Sequence, residues 1–150
     1  MYYNMEIVKE PNKILRKRPE PVKSITPTVK ALISDMKETM KNAAGVGLAA
    51  NQVGQDLQIF VIDENLAREN KVPDTYVNPE ITEYSRDKDV MEEGCLSLPD
   101  YWRQVKRSKK IKIKAIDENG QKVKFKARGF LARVLQHEVD HLNGLLISNR

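Results

Sequence analysis

His137-Glu138-Val139-Asp140-His141 places two imidazoles and a carboxylate within one short stretch. Side chains four apart stack on one helical face, so both rings can reach a single divalent ion. The glutamate beside the first histidine is then set to take a proton from ion-activated water. The bland alternative is a solvated helix end with a local charge pair. Beyond His141, Leu142 to Arg150 hold no acid, histidine or cysteine. Thermolysin-like and metzincin proteases draw their third ligand from downstream of this motif, a route closed here. A three-ligand catalytic site must therefore complete itself from upstream.

The chain has no other histidine and one cysteine, Cys95. It lies in Glu93-Gly94-Cys95-Leu96-Ser97, a polar and glycine-containing setting unlike an apolar core strand. A lone cysteine is commonly a small buried hydrophobe. Two histidines in want of a partner favour the ligand reading instead. A third segment is Gly45-Val46-Gly47-Leu48-Ala49-Ala50-Asn51-Gln52. Its glycines suit a turn after a helix, and Gln52 suits the end of a strand. No Lys-Ser or Lys-Thr pair follows at the spacing a phosphate loop needs.

In this order the three segments resemble the peptide deformylase family. That family carries a glycine-x-glycine-leucine-alanine-alanine-x-glutamine run, then glutamate-glycine-cysteine-leucine-serine, then histidine-glutamate-x-x-histidine. All three stand here without a substitution at a defining position, between Gly45 and His141. The resemblance implies an α+β fold, with mixed and antiparallel strands surrounding a central C-terminal metal-binding helix. It implies one catalytic domain over residues 1–150. The implied activity removes the formyl group from the N-terminal formylmethionine of newly synthesised polypeptides, releasing formate. Cys95, His137 and His141 would hold one ion, whose water attacks the formyl carbonyl. Glu138 would serve as base and then acid, while the Gln52 side-chain amide and the Leu96 N–H stabilise the developing oxyanion. Ligand type leaves the ion open among zinc, iron, cobalt and nickel. The resemblance implies Fe2+ as the physiological ion, with Zn2+, Ni2+ or Co2+ able to substitute. A thiolate-bound ferrous centre should lose activity in air.

The same resemblance places substrate beside Gly94 and along an exposed backbone edge at Val46 and Gly47, where a peptide can add as a strand. Phe130, Val134 and His137 share one helical face and, with Val46, are expected to wall an apolar slot for methionine. Arg133 lies one turn before His137. It reads either as a slot lining whose head reaches substrate carbonyls or as a surface ion pair. Glu93 and Arg107 read as supporting charges around Cys95. Many family members continue into a long C-terminal helix that docks on the ribosome. This chain ends at Arg150, so the resemblance is to a short form, and basic surface would have to provide any ribosome association.

The elements that must position these groups follow from patterning. A chain of 150 residues, 40% hydrophobic and 31% charged, suits one soluble globular domain. One cysteine permits no internal disulfide and points to a reducing compartment: bacterial-type cytoplasm, or host cytoplasm if virus-encoded. The first twenty residues carry Lys9, Lys13, Arg16, Lys17 and Arg18 with no apolar run. That reads as no secretory signal and no membrane span. Met5 is an alternative start, and a monomer is expected.

Thr26 and Pro27 open a helix whose stripe is Val29, Leu32, Ile33, Met36 and Met40. Gly45 and Gly47 should stop it near Ala44. Leu57 to Ile62 reads as a buried strand, and Thr75 to Asn78 with Ile81 as a broken one. Residues 63–74 read as an exposed loop. Ile111–Ile116 and Lys122–Ala127 form a hairpin with Asn119-Gly120 at a tight turn. The last helix should run from Gly129 to Leu142, with Gly144 beyond its end. Phe130, Leu131, Val134, Leu135, Val139 and Leu142 wrap most of it in apolar surface and should bury it.

The net charge is +5. Basic residues gather at Arg103, Lys106, Arg107, Lys109, Lys110, Lys112 and Lys114, then at Lys122, Lys124 and Lys126. Their alternation with apolar residues marks the wet face of a half-buried strand, and attraction to ribosomal RNA is the second reading. Two further functions compete with deformylation. One is a metallopeptidase, disfavoured by the closed downstream route. The other is an RNA- or ribosome-binding module whose metal is structural.

Overall fold

The computed structural model describes residues 5–150. The expected domain includes residues 1–4, and the choice of Met1 as start falls there; both lie outside the described residues. Among the described residues three α-helices and seven strands follow one another, and every named strand pair is antiparallel. The parallel component of the expected mixed sheet is limited to an isolated bridge between Glu20 and Leu57.

Helix α1 spans Pro27–Asn42, and its cap is the Thr26 hydroxyl accepting the Val29 N–H at 3.2 Å. Its stop differs from the expected glycine stop. Ala44, at φ 55°, takes the left-handed conformation, while Gly45 returns an N–H to the Met40 carbonyl at 2.9 Å. Gly45 is instead crowded by Leu96, whose Cδ1 would sit 2.9 Å from any Cβ there.

Strands β1 (Gly47–Ala49), β2 (Ile59–Ile62), β3 (Thr75–Tyr84), β6 (Lys110–Ile116) and β7 (Lys122–Arg128) form one sheet in the order β1-β2-β3-β6-β7. Strands β4 (Lys88–Cys95) and β5 (Leu98–Ser108) form a separate long hairpin. The continuous apolar run of β2 is buried on both sides. Ile59 and Val61 face α1 with Leu48, Val77, Ile33 and Met36, whereas Phe60 and Ile62 face the other core. Phe60 stacks on Tyr76 in that second core, at 4.7 Å between centroids.

Helix α3 (Gly129–His141) packs against strands of both sheets. Leu131, Ala132, Val134, Leu135 and Val139 are buried there, each large aliphatic contributing roughly 1.5–3 kcal/mol. Phe130 is the exception among the residues expected to be buried: it is half exposed. A helix buried along most of its length excludes the solvated-end reading of the histidine motif.

Three other expectations change. Residues 63–74 are not a loop throughout. Asp63 accepts the Asn65 and Leu66 N–H groups and starts α2 (Glu64–Asn70), anchored by buried Ala67 with Leu66 and Val72. Strand β3 runs unbroken past Asn78-Pro79, because Asn78, at φ 50°, forms a bulge and its amide exchanges two 2.8 Å hydrogen bonds with Val22. The β6–β7 turn is organised by Asp117, whose carboxylate accepts from the Asn119 and Gln121 N–H groups. Gly120 takes a positive φ there and Asn119 does not.

The basic cluster divides. Arg107 is buried, while β6 and β7 set Lys110 opposite Arg128, Lys112 opposite Lys126 and Lys114 opposite Lys124. On the other side of β6, β3 offers Glu83 opposite Lys112 and Glu80 opposite Lys114. Among the described residues, no helix is long and apolar enough to cross a membrane.

A left-handed alanine costs about 1–2 kcal/mol, more than glycine's added chain entropy. Ala44→Gly should therefore stabilise the fold by about 0.5–1 kcal/mol in urea unfolding. A loss of stability would mean the helix is closed by other contacts.

Candidate metal centre and substrate cleft

The three proposed ligands arrive from two elements. His137 and His141 project from one face of α3, and Cys95 ends β4 where the hairpin register breaks after Gly94. Cys95 Sγ lies 3.3 Å from His141 Nε2, which lies 3.1 Å from His137 Nε2. All three donor atoms fall within 4.8 Å of one another. One ion bound about 2.0–2.1 Å from each nitrogen and about 2.3 Å from sulfur in a tetrahedral site needs donor separations of roughly 3.3–3.5 Å. The donor set fits such an ion with little movement.

Electrostatics agree. Burial holds His141 well below the ordinary histidine range, leaving its ring neutral in the ion-free protein. Burial also opposes charge on His137, but hydrogen bonds to Cys95 and Glu93 outweigh it and push that ring up to about 10. Thiolate and imidazole donors are those that first-row divalent ions favour.

Glu93 supports this cluster through His137, not through Cys95. Its carboxylate sits 2.9 Å from His137 Nδ1, which fixes the ring with Nε2 free toward Cys95 and His141. Arg107 grips the same carboxylate in two bonds, at 2.7 and 2.9 Å, and gives its remaining arm to Asp140 at 2.8 Å. Burial tends to raise the Glu93 pKa, yet bonds from His137 and Arg107 overcome it and hold the group ionised, well below the carboxylate range. Asp140, lying between the two histidines in sequence, is also gripped by Arg150.

The head of Arg133 departs from both of its expected placements, while its stem lies where the slot reading put it. Its side chain is buried, and the guanidinium binds Glu93, Asp89 and the Val105 carbonyl. A head so occupied is not free for substrate carbonyls, and a buried pair is not a surface one. Its stem still borders the cleft.

Glu138 is 3% exposed and its Oε1 has no partner. Burial pushes its carboxyl up to about 7 in the ion-free protein, against the opposing pull of His137 and Arg107. The other oxygen, Oε2, lies so near Gly47 that a Cβ there would stand 2.5 Å away. Gly47 therefore leaves room for this carboxylate, a role not apparent from its place after a helix. Gln52 sits in the turn after β1, fixed by its Oε1 accepting the Ala49 N–H at 3.0 Å. Its amide nitrogen points to Ser97 Oγ at 3.1 Å and to Cys95 Sγ at 3.6 Å. Leu96 occupies the turn between β4 and β5, immediately after Cys95.

A cleft of about 450 Å3 opens beside these groups. Val46, Gly47, Gln52, Gly94, Cys95, Leu96, Phe130, Val134, His137 and Glu138 all border it, so the structure gathers the sequence-derived set around one space. His141 is not on its wall, being 1% exposed beneath the cluster. The cleft has a second wall that sequence reasoning missed: Met91, Leu98, Pro99, Tyr101 and Trp102, all from the hairpin. No periodic signal had identified that hairpin.

A profile of the polypeptide deformylase family matches residues 4–150. A peptide deformylase from Psychrobacter cryohalolentis is 44% identical over 142 residues, 95% of this chain and 76% of its own length. The crystal structure of peptide deformylase from Thermotoga maritima superposes with a TM-score of 0.92 at 42% identity, covering 99% of this chain and 98% of that one. A class I type b peptide deformylase from Acinetobacter baumannii, crystallised with Met-Ala-Ser bound, gives 0.90 at 35% identity, covering 100% and 99%.

Glu93→Gln removes a charge on which two arginines and a candidate-ligand histidine depend. Zinc affinity in a chelator competition should fall about 10–100-fold. Undiminished affinity would mean His137 is held by its helix alone.

Proposed function

The chain belongs to the polypeptide deformylase family, and from that premise we propose which of its residues carry the activity. The protein is a metal-dependent hydrolase that removes the formyl group from N-terminal formylmethionine. In our reading Cys95, His137 and His141 hold one ion. When bound, that ion supplies Lewis acidity, polarising the formyl carbonyl and making a water acidic near neutral pH.

The observation carrying this reading is the buried Glu138 carboxyl, with one unpartnered oxygen, next to the clustered donors. Glu138 accepts the proton of the attacking water and returns one to the departing amine. Gln52 holds its amide beside Cys95 and turns one N–H toward the carbonyl oxygen as charge develops. Leu96 offers a second, backbone N–H, aimed by the neighbouring ligand. Gly47, lacking a side chain, keeps Glu138 in reach. Phe130, Val134, Val46 and the Arg133 stem wall the methionine slot, and Gly94 borders the opposite side.

Substrate main chain has two places to pair. Among the described residues, strand β1 is an edge of the large sheet and β4 pairs only with β5, so each has one unpaired side, and both border the cleft. Backbone pairing suits an enzyme accepting many sequences after methionine.

We further propose one catalytic domain over residues 1–150, a monomer in the cytoplasm, with Fe2+ as the working ion and Zn2+, Ni2+ or Co2+ as substitutes. The facing lysines of β6 and β7 support weak ribosome association. Edge protection explains cations on β7, but β6 is an interior strand and protects no edge.

The direct test is formate release from formyl-Met-Ala-Ser by protein loaded anaerobically with Fe2+, with metal analysis in parallel. We expect turnover with one ion per chain, lost on exposure to air; an ion-loaded protein releasing no formate overturns the reading. Glu138→Ala should retain the ion and lose about 10²–10⁴ in kcat. Near-normal turnover would remove Glu138 from its role. Cys95→Ser should weaken ion binding measurably. For the basic face, changing Lys112, Lys114, Lys124 and Lys126 to Gln should lower the salt slope of RNA binding by about 3. An unchanged slope would leave those lysines as solvated surface.

A further inference from the structure

Among the described residues, six large hydrophobic side chains are prominently exposed, and four of them, Val46, Met91, Trp102 and Phe130, border the same cleft. Val46 and Phe130 belong to the methionine slot. Trp102 does not. It is 65% exposed, the most exposed of the six, and it rises from β5 directly opposite Gly94 of β4. The ring lies against that glycine, its six-membered edge 2.5–2.8 Å from where a Cβ would be. One side of the indole is thus seated on backbone next to ligand Cys95.

Covering a cross-strand glycine is one reason for an aromatic residue here. It does not explain why so much of the largest apolar side chain type stays in water beside a binding cleft. Nor does it explain the surrounding charge. The chain is +5 overall, yet among the described residues Arg133 is the one lysine or arginine bordering this cleft, its head committed to Glu93 and Asp89, and the other basic side chain there, His137, is held by Glu93. Glu92 and Asp100 border the cleft with no ion pair among the described residues. Glu92 stands two residues before Gly94 on β4, so its side chain shares the Trp102 face of the hairpin.

We propose that Trp102 receives the substrate side chain beyond the formylated methionine, and that Glu92 and Asp100 bias this position toward lysine or arginine. The proposal rests on the deformylase reading. A flat π face attracts a cation above it, and the basic side chain's methylene stem covers the ring while its head reaches the carboxylates. Apolar side chains stack less favourably there, and acidic ones are repelled. Methionine selection and amide chemistry fall, in our reading, to other residues: Val46, Phe130 and Val134 for the first, and Cys95, His137, His141, Glu138, Gln52 and Leu96 for the second. Trp102 therefore determines specificity and takes no part in bond breaking.

The chain contains one tryptophan, so its intrinsic fluorescence reports this position alone. The experiment compares formyl-Met-Lys-Ser, formyl-Met-Leu-Ser and formyl-Met-Glu-Ser, and the matching formyl-Met-Ala-X series, with the ion-loaded enzyme. In at least one series kcat/KM should fall from Lys to Leu to Glu over a range of about tenfold, carried by KM. Trp102→Ala should collapse that range to within about twofold while ion content stays unchanged. Glu92→Gln with Asp100→Asn should remove the advantage of Lys and keep that of Leu over Glu smaller than before. In the unaltered protein, the deformylated Lys peptide should change Trp102 emission saturably. Equal kcat/KM across both series, a range that survives Trp102→Ala, or saturating peptide without an emission change would each overturn the proposal. Absence of any formate release would instead strike the deformylase reading, and the fluorescence titration would still decide the role of Trp102.

Discussion

A carboxylate removed from water must be paired, and Glu93 is where this molecule meets that demand. It stands on β4, binds His137 of α3, and is gripped by Arg107 of β5 and Arg133 of α3. At this point charged groups join the hairpin to the helix. Truncating any one partner would strand a buried charge, at about 3–5 kcal/mol. The pairing also has a directional result. Because Glu93 takes the Nδ1 side of His137, the opposite nitrogen is presented to Cys95 and His141. Fold and centre therefore depend on the same set of bonds.

The legible parts of this fold were those governed by simple periodicities. The α1 stripe, the apolar run of β2, the alternation in β6 and β7, and the wrapped surface of α3 each bury hydrocarbon in a regular pattern. The β4–β5 hairpin does not. Its inward face carries Glu93, Val105 and Arg107, so two charged residues occupy positions where a pattern search expects aliphatics. Helix α2 escaped notice for a related reason: between Glu64 and Asn70 only Leu66 and Ala67 face the core, and the start signal is one aspartate. The stop of α1 misled because a left-handed alanine was chosen beside two glycines that looked better suited.

The candidate site shows the same division. His137, Glu138, His141 and Cys95 stood out because their chemistry is uncommon and their spacing constrains it. The placement of the Arg133 head was misjudged because sequence cannot show three acceptors arriving from other elements. The packing of Gly47 against Glu138 joins residues ninety-one apart, a distance no local pattern spans. Trp102 had no signal at all, since its meaning comes from the glycine across the hairpin.

The unpaired sides of β1 and β4 have a consequence for the molecule as a whole. Among the described residues the strands form two sheets, one of five strands and one of two. An extended ligand bonded to both borders would act as a missing strand and weld them into a single continuous ladder. Occupancy would then be felt far from the reacting bond, as slower hydrogen exchange along both borders and a stiffer hairpin. Release of the trimmed chain would require unzipping that temporary strand, which gives the speed of the cycle a mechanical as well as a chemical component.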